Sequence, residues 1–228
     1  MKPYHIALIC VLLPLFTVHL TWLISSTMGN LNMCNPYWSH CHSISATGRQ
    51  VPEFFVFKAL MIPTAVCMAA YWFLLKIWID KVSNGALTIR LITSLGYIAS
   101  AALIVYTVTL GAEDEPQALA RRIGVILYFA FSAFGHLLLL QKLKRINIAS
   151  LGLSNERKFI YRICAMLVIS GIASAIAGFL WEGWDNWENA YEWWFSLLMI
   201  SLFYWVGRMW QKTGFTAIFS LASIRKVT

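Results

Sequence analysis

Of 228 residues, 59% are hydrophobic and only 12% are charged, and the mean hydropathy is +0.65. Soluble domains hold about 45–50% apolar and about 25% charged residues, so a water-facing enzyme, a disordered chain and a nucleic-acid-binding domain are excluded. The net charge of +8 must then be read in a chain built for lipid.

Six apolar stretches follow, near 5–26, 53–79, 88–110, 120–141, 159–180 and 192–212. Each reaches the roughly 20 residues with which a helix crosses hydrocarbon. Lys2 ahead of the first run resembles the start of a signal peptide. The run continues past Pro14 and His19 to Trp22 without an A-x-A-like site, so a retained helix is expected. Pro14 and Pro63 should bend the first two spans. Small residues, Gly96 and Ser100 in the third span and Gly171, Ser174, Ala175 and Gly178 in the fifth, suit close helix packing. No run alternates at period two, which argues against a β-barrel. The expected fold is all-α: one domain over 1–228, a compact bundle of six transmembrane helices.

Charges set the orientation. One set of connections holds Lys2, Lys76, Lys81, Arg90, the block from Lys142 to Arg162, and Arg208, Lys212, Arg225 and Lys226, with only Asp80 and Glu156 against them. The other side holds Arg49, Lys58, Arg121 and Arg122 among eight acids: Glu53, Glu113, Asp114, Glu115, Glu182, Asp185, Glu188 and Glu192. The positive-inside rule therefore places both termini in the cytoplasm. The expected location is an integral, multi-pass one, in the cell membrane or an endomembrane, or in the inner membrane of a bacterium.

The longest exterior loop, 27–52, contains Cys34, His40, Cys41 and His42. A Cys34–Cys41 disulfide suits an oxidising exterior; free thiols and a zinc site are the alternatives, although the spacing matches no standard zinc pair. Cys10, Cys67 and Cys164 fall in apolar runs and read as small hydrophobes. Ionisable groups within spans call for a functional default. His19 and Lys58 lie at similar depth below the exterior end, and Glu53 and Glu192 open the second and sixth spans, the latter beside Trp193 and Trp194. If those two helices are neighbours, Arg49 would bridge the acids. His136, nearer the other end, reads as a core imidazole bonded to a neighbour. Trp181, Trp184 and Trp187 extend an interfacial belt, and their loop would lie flat on the lipid surface.

Ser43-Ile44-Ser45-Ala46-Thr47-Gly48 with Pro52-Glu53 and Phe57, Leu95-Gly96 with Ile123-Gly124-Val125, Tyr128-Phe129 and Gln141, and Glu192-Trp193 form a further pattern. Together they resemble the DRAM family (damage-regulated autophagy modulators), its FRAG and SFK relatives, and the lipid-remodelling proteins that act on GPI anchors. Arg121-Arg122 stand where family members often carry His, and Ala46 where one version has an acid. The resemblance implies roles in lipid remodelling, lipid asymmetry or autophagy. The same residues also have a purely structural reading: Gly48 for a turn at positive φ, Pro52 to lead into the helix, and Glu53 in the positive end of its dipole.

The expected function is to bind or organise membrane lipids through an outer-leaflet cup of His19, Arg49, Glu53, Lys58, Glu192 and Trp193. Arg49 and Lys58 would meet phosphate, and tryptophans would hold acyl chains. A lipid-modifying enzyme is the alternative, with Glu53 or Glu192 as base and His19 or His42 as proton partner. A transporter is disfavoured because no inverted repeat appears. No H-E-x-x-H, G-x-S-x-G or Walker loop occurs. No cofactor, metal or nucleic-acid partner is expected; membrane lipids, and other membrane proteins, are.

Overall fold

A computed structural model describes residues 2–112, 114–148 and 150–217. Glu113, Arg225, Lys226 and the cytoplasmic placing of the C-terminus lie outside the described residues. Six long helices follow in order: α1 (Pro3–Thr27), α2 (Glu53–Val82), α3 (Arg90–Val108), α4 (Glu115–Leu143), α5 (Ser154–Leu180) and α6 (Asp185–Lys212), with a short 3₁₀ turn, Ser45–Gly48, between α1 and α2. Among the described residues there is no strand. The first five are long and apolar enough to cross a membrane. The sixth is equally long but opens with Asp185, Glu188 and Glu192.

Three helices begin earlier than their apolar runs, because polar first turns still satisfy helix chemistry. Pro116 and Glu115 open α4 five residues before the apolar stretch, proline lacking only an N–H that has no helical partner there. Ser154 and Glu156 do the same for α5. In α6, Asp185 and Glu188 sit at the positive end of the dipole. The tryptophan loop therefore shrinks to a tight turn: Trp184 caps α6, and Trp187 is already helical.

Each helix packs on the next, and α6 returns to α1, closing a ring. Small residues set the tightest joints. A Cβ on Gly124 would lie 2.9 Å from Ala102 O and Tyr106 N, so α4 touches the backbone of α3. A Cβ on Gly207 would lie 2.7 Å from Ala7 Cβ, joining α6 to α1. The expected stripe on α5 behaves differently. Nothing stands within 4 Å of a Cβ at Gly171, and Ala175 and Gly178 are exposed. Gly178 approaches Trp184, and Ser174 hydrogen-bonds with Tyr191 of α6.

The two halves of the ring are filled unequally. Towards the Lys2 end, Trp72 occupies the middle between Gly96 of α3 and Gly135 of α4, with Tyr71 packed on Phe203 and Trp210 at 4.7 and 5.2 Å. His136 joins them as a core imidazole, bonded to Ser132 O at 2.7 Å and Tyr71 Oη at 3.0 Å. Lys212 pairs with buried Glu156 at 2.7 Å, and Trp78 Nε1 donates to Thr213 Oγ1 at 3.0 Å. At the opposite end the helices are spanned by the 28–52 segment, and there the middle is left partly empty.

Candidate functional site: a cavity under the 28–52 loop

The loop is pinned by α6 and by its own disulfide. Cys34 and Cys41 are bonded, with Cα atoms 5.6 Å apart, which takes both sulfurs away from any zinc. Among the described residues no group of three metal-ligating side chains occurs. Asn189 Nδ2 donates to Cys41 O at 2.9 Å, Trp193 Nε1 to His42 O at 2.9 Å and Trp194 Nε1 to Tyr37 O at 3.2 Å. The His40 amide donates to Asn186 O at 2.8 Å. The 3₁₀ turn then drops Thr47 onto α1, its hydroxyl 3.0 Å from that of Thr21. Gly48 is not at positive φ. Its lack of a side chain matters for space, since a Cβ would lie 2.7 Å from the Phe57 ring and 2.9 Å from Leu110.

Beneath this cover is a cavity of about 60 Å³, walled by α1, α2, α3, α4 and α6 and by Tyr37 and Ile44 of the loop. That is room for about four water-sized groups. The walls are mainly apolar, with Leu103, Val125 and Phe129 among them, and five polar side chains interrupt them: His19, Tyr37, Tyr106, Glu192 and Ser196, besides the mostly ring-like Tyr128 and Trp193. Tyr37 Oη donates to His19 Nε2 at 2.8 Å, while His19 Nδ1 donates to Leu15 O at 2.7 Å. The carbonyl fixes which ring nitrogen carries the proton. Burial raises the Tyr37 hydroxyl above the ordinary phenol range, so it stays a donor at neutral pH. The Trp193 ring stands edge-on to both, 5.3 Å from His19 and 5.7 Å from Tyr37.

Two of these polar residues matter most, Glu192 and Tyr106. Half-buried Glu192 takes a backbone hydrogen bond from Ile44 and feels the charges of Glu188 and Arg49. The Tyr106 hydroxyl is buried with no hydrogen-bond partner among the described residues, within electrostatic reach of Glu192. A buried, unpaired hydroxyl is unfavourable by about 1–3 kcal/mol.

His19, Glu192 and Trp193 are thus brought together, and three other expected members of the cup are not. Glu53 is fully buried but points elsewhere, holding Asn30 Nδ2 at 3.0 and 3.3 Å from its two oxygens. Lys58 reaches across to α3, donating to Val108 O at 2.8 Å and lying 3.8 Å above the Phe54 ring. Its charge thereby meets the negative end of the α3 dipole. Arg49 donates to Ser45 Oγ at 2.9 Å and forms no ion pair with Glu53 or Glu192, so it bridges nothing. Its own loop supplies a nearer acceptor. Sequence reasoning missed Tyr37 and Tyr106, which carry no charge to flag them; the one available signal for Tyr37 was its place inside the Cys34–Cys41 loop. No family model matches the chain, and no curated protein or solved structure matches it either.

Proposed function

We propose that the chain is a six-span membrane protein of the DRAM, FRAG and SFK type, with its N-terminus cytoplasmic, that binds membrane lipid in the cavity beneath the 28–52 loop. Five helices of spanning length and a sixth packed between α5 and α1 support the span count, and the sorting of charge supports the orientation. The observation that carries the lipid reading is a mainly apolar cavity at the loop-covered end of a bundle of spanning-length helices, lined by Glu192 and by Tyr106, whose hydroxyl is unpartnered among the described residues. Pockets of mostly apolar lining with a few convergent polar groups are where small amphiphilic ligands bind. The test is native mass spectrometry of protein purified in mild detergent. Wild type should retain a stoichiometric lipid, and Ser196→Phe, which fills the cavity, should lose it. Equal retention by both would refute the assignment.

Lipid modification is a second reading, favoured by Glu192 and His19 lining the same cavity. It requires Glu192 as the base, because Glu53 lies outside the cavity and is paired with Asn30. Headgroup turnover in membranes holding wild type or Glu192→Gln separates the two. Turnover that Glu192→Gln abolishes supports an enzyme; unchanged turnover with a retained lipid supports binding alone.

A further inference from the structure

His19 and Tyr37 have the cavity on one side and the outer face of α1 on the other. The same two rings that wall the cavity also close one end of an open groove running down α1 past Phe16, Leu12 and Leu8. Phe16 is 57% and Leu12 51% exposed, an apolar face suited to hydrocarbon rather than water. From His19 to Leu8 the groove extends about 16 Å along the helix, close to one leaflet's share of the hydrocarbon.

Three residues line both spaces: Leu15, His19 and Tyr37. The backbones are held on both sides, His19 by α1 and Tyr37 by the Trp194 bond and the Cys34–Cys41 closure. Within that frame the Tyr37 hydroxyl has one hydrogen bond, to His19. Turning the Tyr37 ring away would break that one hydrogen bond and its ring contacts with His19, Trp193 and Trp194, and would remove one of the three side chains shared by the two spaces.

The cavity's chemistry selects what comes through. Its acceptor is the Glu192 carboxylate, and Tyr106 lines the same cavity. A phosphate or carboxylate head would be repelled by Glu192 across poorly screened apolar surroundings. Arg49 and Arg121 are felt electrostatically at this end, but neither they nor Lys58 line the cavity, and Arg49 and Lys58 direct hydrogen bonds to Ser45 and Val108. A hydroxyl or ammonium head would instead find its acceptor. At about 60 Å³, the cavity takes such a head and leaves no room for a second chain.

We infer that a single-chain amphiphile headed by a hydroxyl or ammonium group enters the cavity sideways from the bilayer, between His19 and Tyr37, placing its head on Glu192 and its chain in the α1 groove. This rests on the lipid-binding reading and adds a head chemistry and a route to it.

The test uses the full chain in phosphatidylcholine nanodiscs at pH 8, with two spin-labelled probes that differ only at the head, octadecylamine and stearate. Electron paramagnetic resonance reads the immobilised fraction and its exchange rate with free lipid. The amine should be immobilised about tenfold more strongly than stearate, the scale of a charge-assisted hydrogen bond. Glu192→Gln should remove that preference. Tyr37→Phe should speed exchange about fivefold, the equivalent of one hydrogen bond, and Tyr37→Ala should speed it further. Equal immobilisation of both probes overturns the head chemistry, and unchanged exchange in both Tyr37 variants overturns the route. If the fillers Ser196→Phe and Val125→Phe leave immobilisation untouched, the lipid-binding reading falls with them. If they abolish it while the Tyr37 variants behave as wild type, only the lateral route falls.

Discussion

Two histidines solve the same problem in opposite halves of the ring. Each gives its Nδ1 proton to the carbonyl four residues back and takes a tyrosine hydroxyl at Nε2, Tyr37 for His19 and Tyr71 for His136. His136 is sealed among Trp72 and Phe203, whereas His19 is a wall between two spaces. Equivalent bonding thus serves packing in one place and a boundary in the other. Glu53 belongs with His136 as a structural group. Glu53→Leu should destabilise the protein by about 1–3 kcal/mol by stranding the Asn30 amide, and Glu53→Gln by less. Thermal melting in detergent reads both, and neither should change the lipid retained by the folded fraction. Charge scarcity within the spans made His19 and Glu192 legible in the sequence, and Trp193 through its place beside Glu192. It also singled out Glu53 and Lys58, whose side chains bond to Asn30 and Val108 outside the cavity, since sequence gives depth along a helix but not which neighbour a side chain faces.

At the scale of elements, the ring is set by where backbones can meet. Gly124 brings α4 against the carbonyl of Ala102 and the amide of Tyr106, positions that cannot withdraw without moving α3. Gly124→Val should therefore lower stability by about 1–3 kcal/mol or more. Gly171→Val on α5 should be close to neutral, because nothing stands near that position; paired thermal melts compare the two. Both are glycines within apolar spans, though the sequence marked only Gly171 for close packing, and the packing partner is what separates them. The loop is a second element with its own stabiliser. Closing the short ring between Cys34 and Cys41 is worth about 2–3 kcal/mol through the unfolded chain. Reduction, or the double change to serine, should lower the melting temperature. It should also speed lipid exchange, because Tyr37 lies within the closed segment.

For the whole molecule, composition alone establishes an all-helical chain with helices that suit a bilayer, and the charges propose a side for each end. That proposal predicts a cytoplasmic N-terminus and an exterior 28–52 loop. A glycosylation acceptor placed in the loop near Trp38, which is 63% exposed, should be modified in microsomes, and one fused ahead of Lys2 should not. What composition could not indicate is the uneven filling of the ring. Whether Trp72 plugs the middle depends on Gly96 and Gly135 meeting it from two other helices, a three-body arrangement that no single span encodes. The cavity is the remainder, the half of the ring where Trp193, Tyr37 and Tyr106 line the walls and leave a space between them. A density map of the protein in lipid nanodiscs tests its occupancy most directly. Continuous density from Glu192, past His19 and Tyr37, into the α1 groove, lost in Ser196→Phe, is the expected result. A cavity holding only isolated water peaks, identical in wild type and variant, would contradict the account.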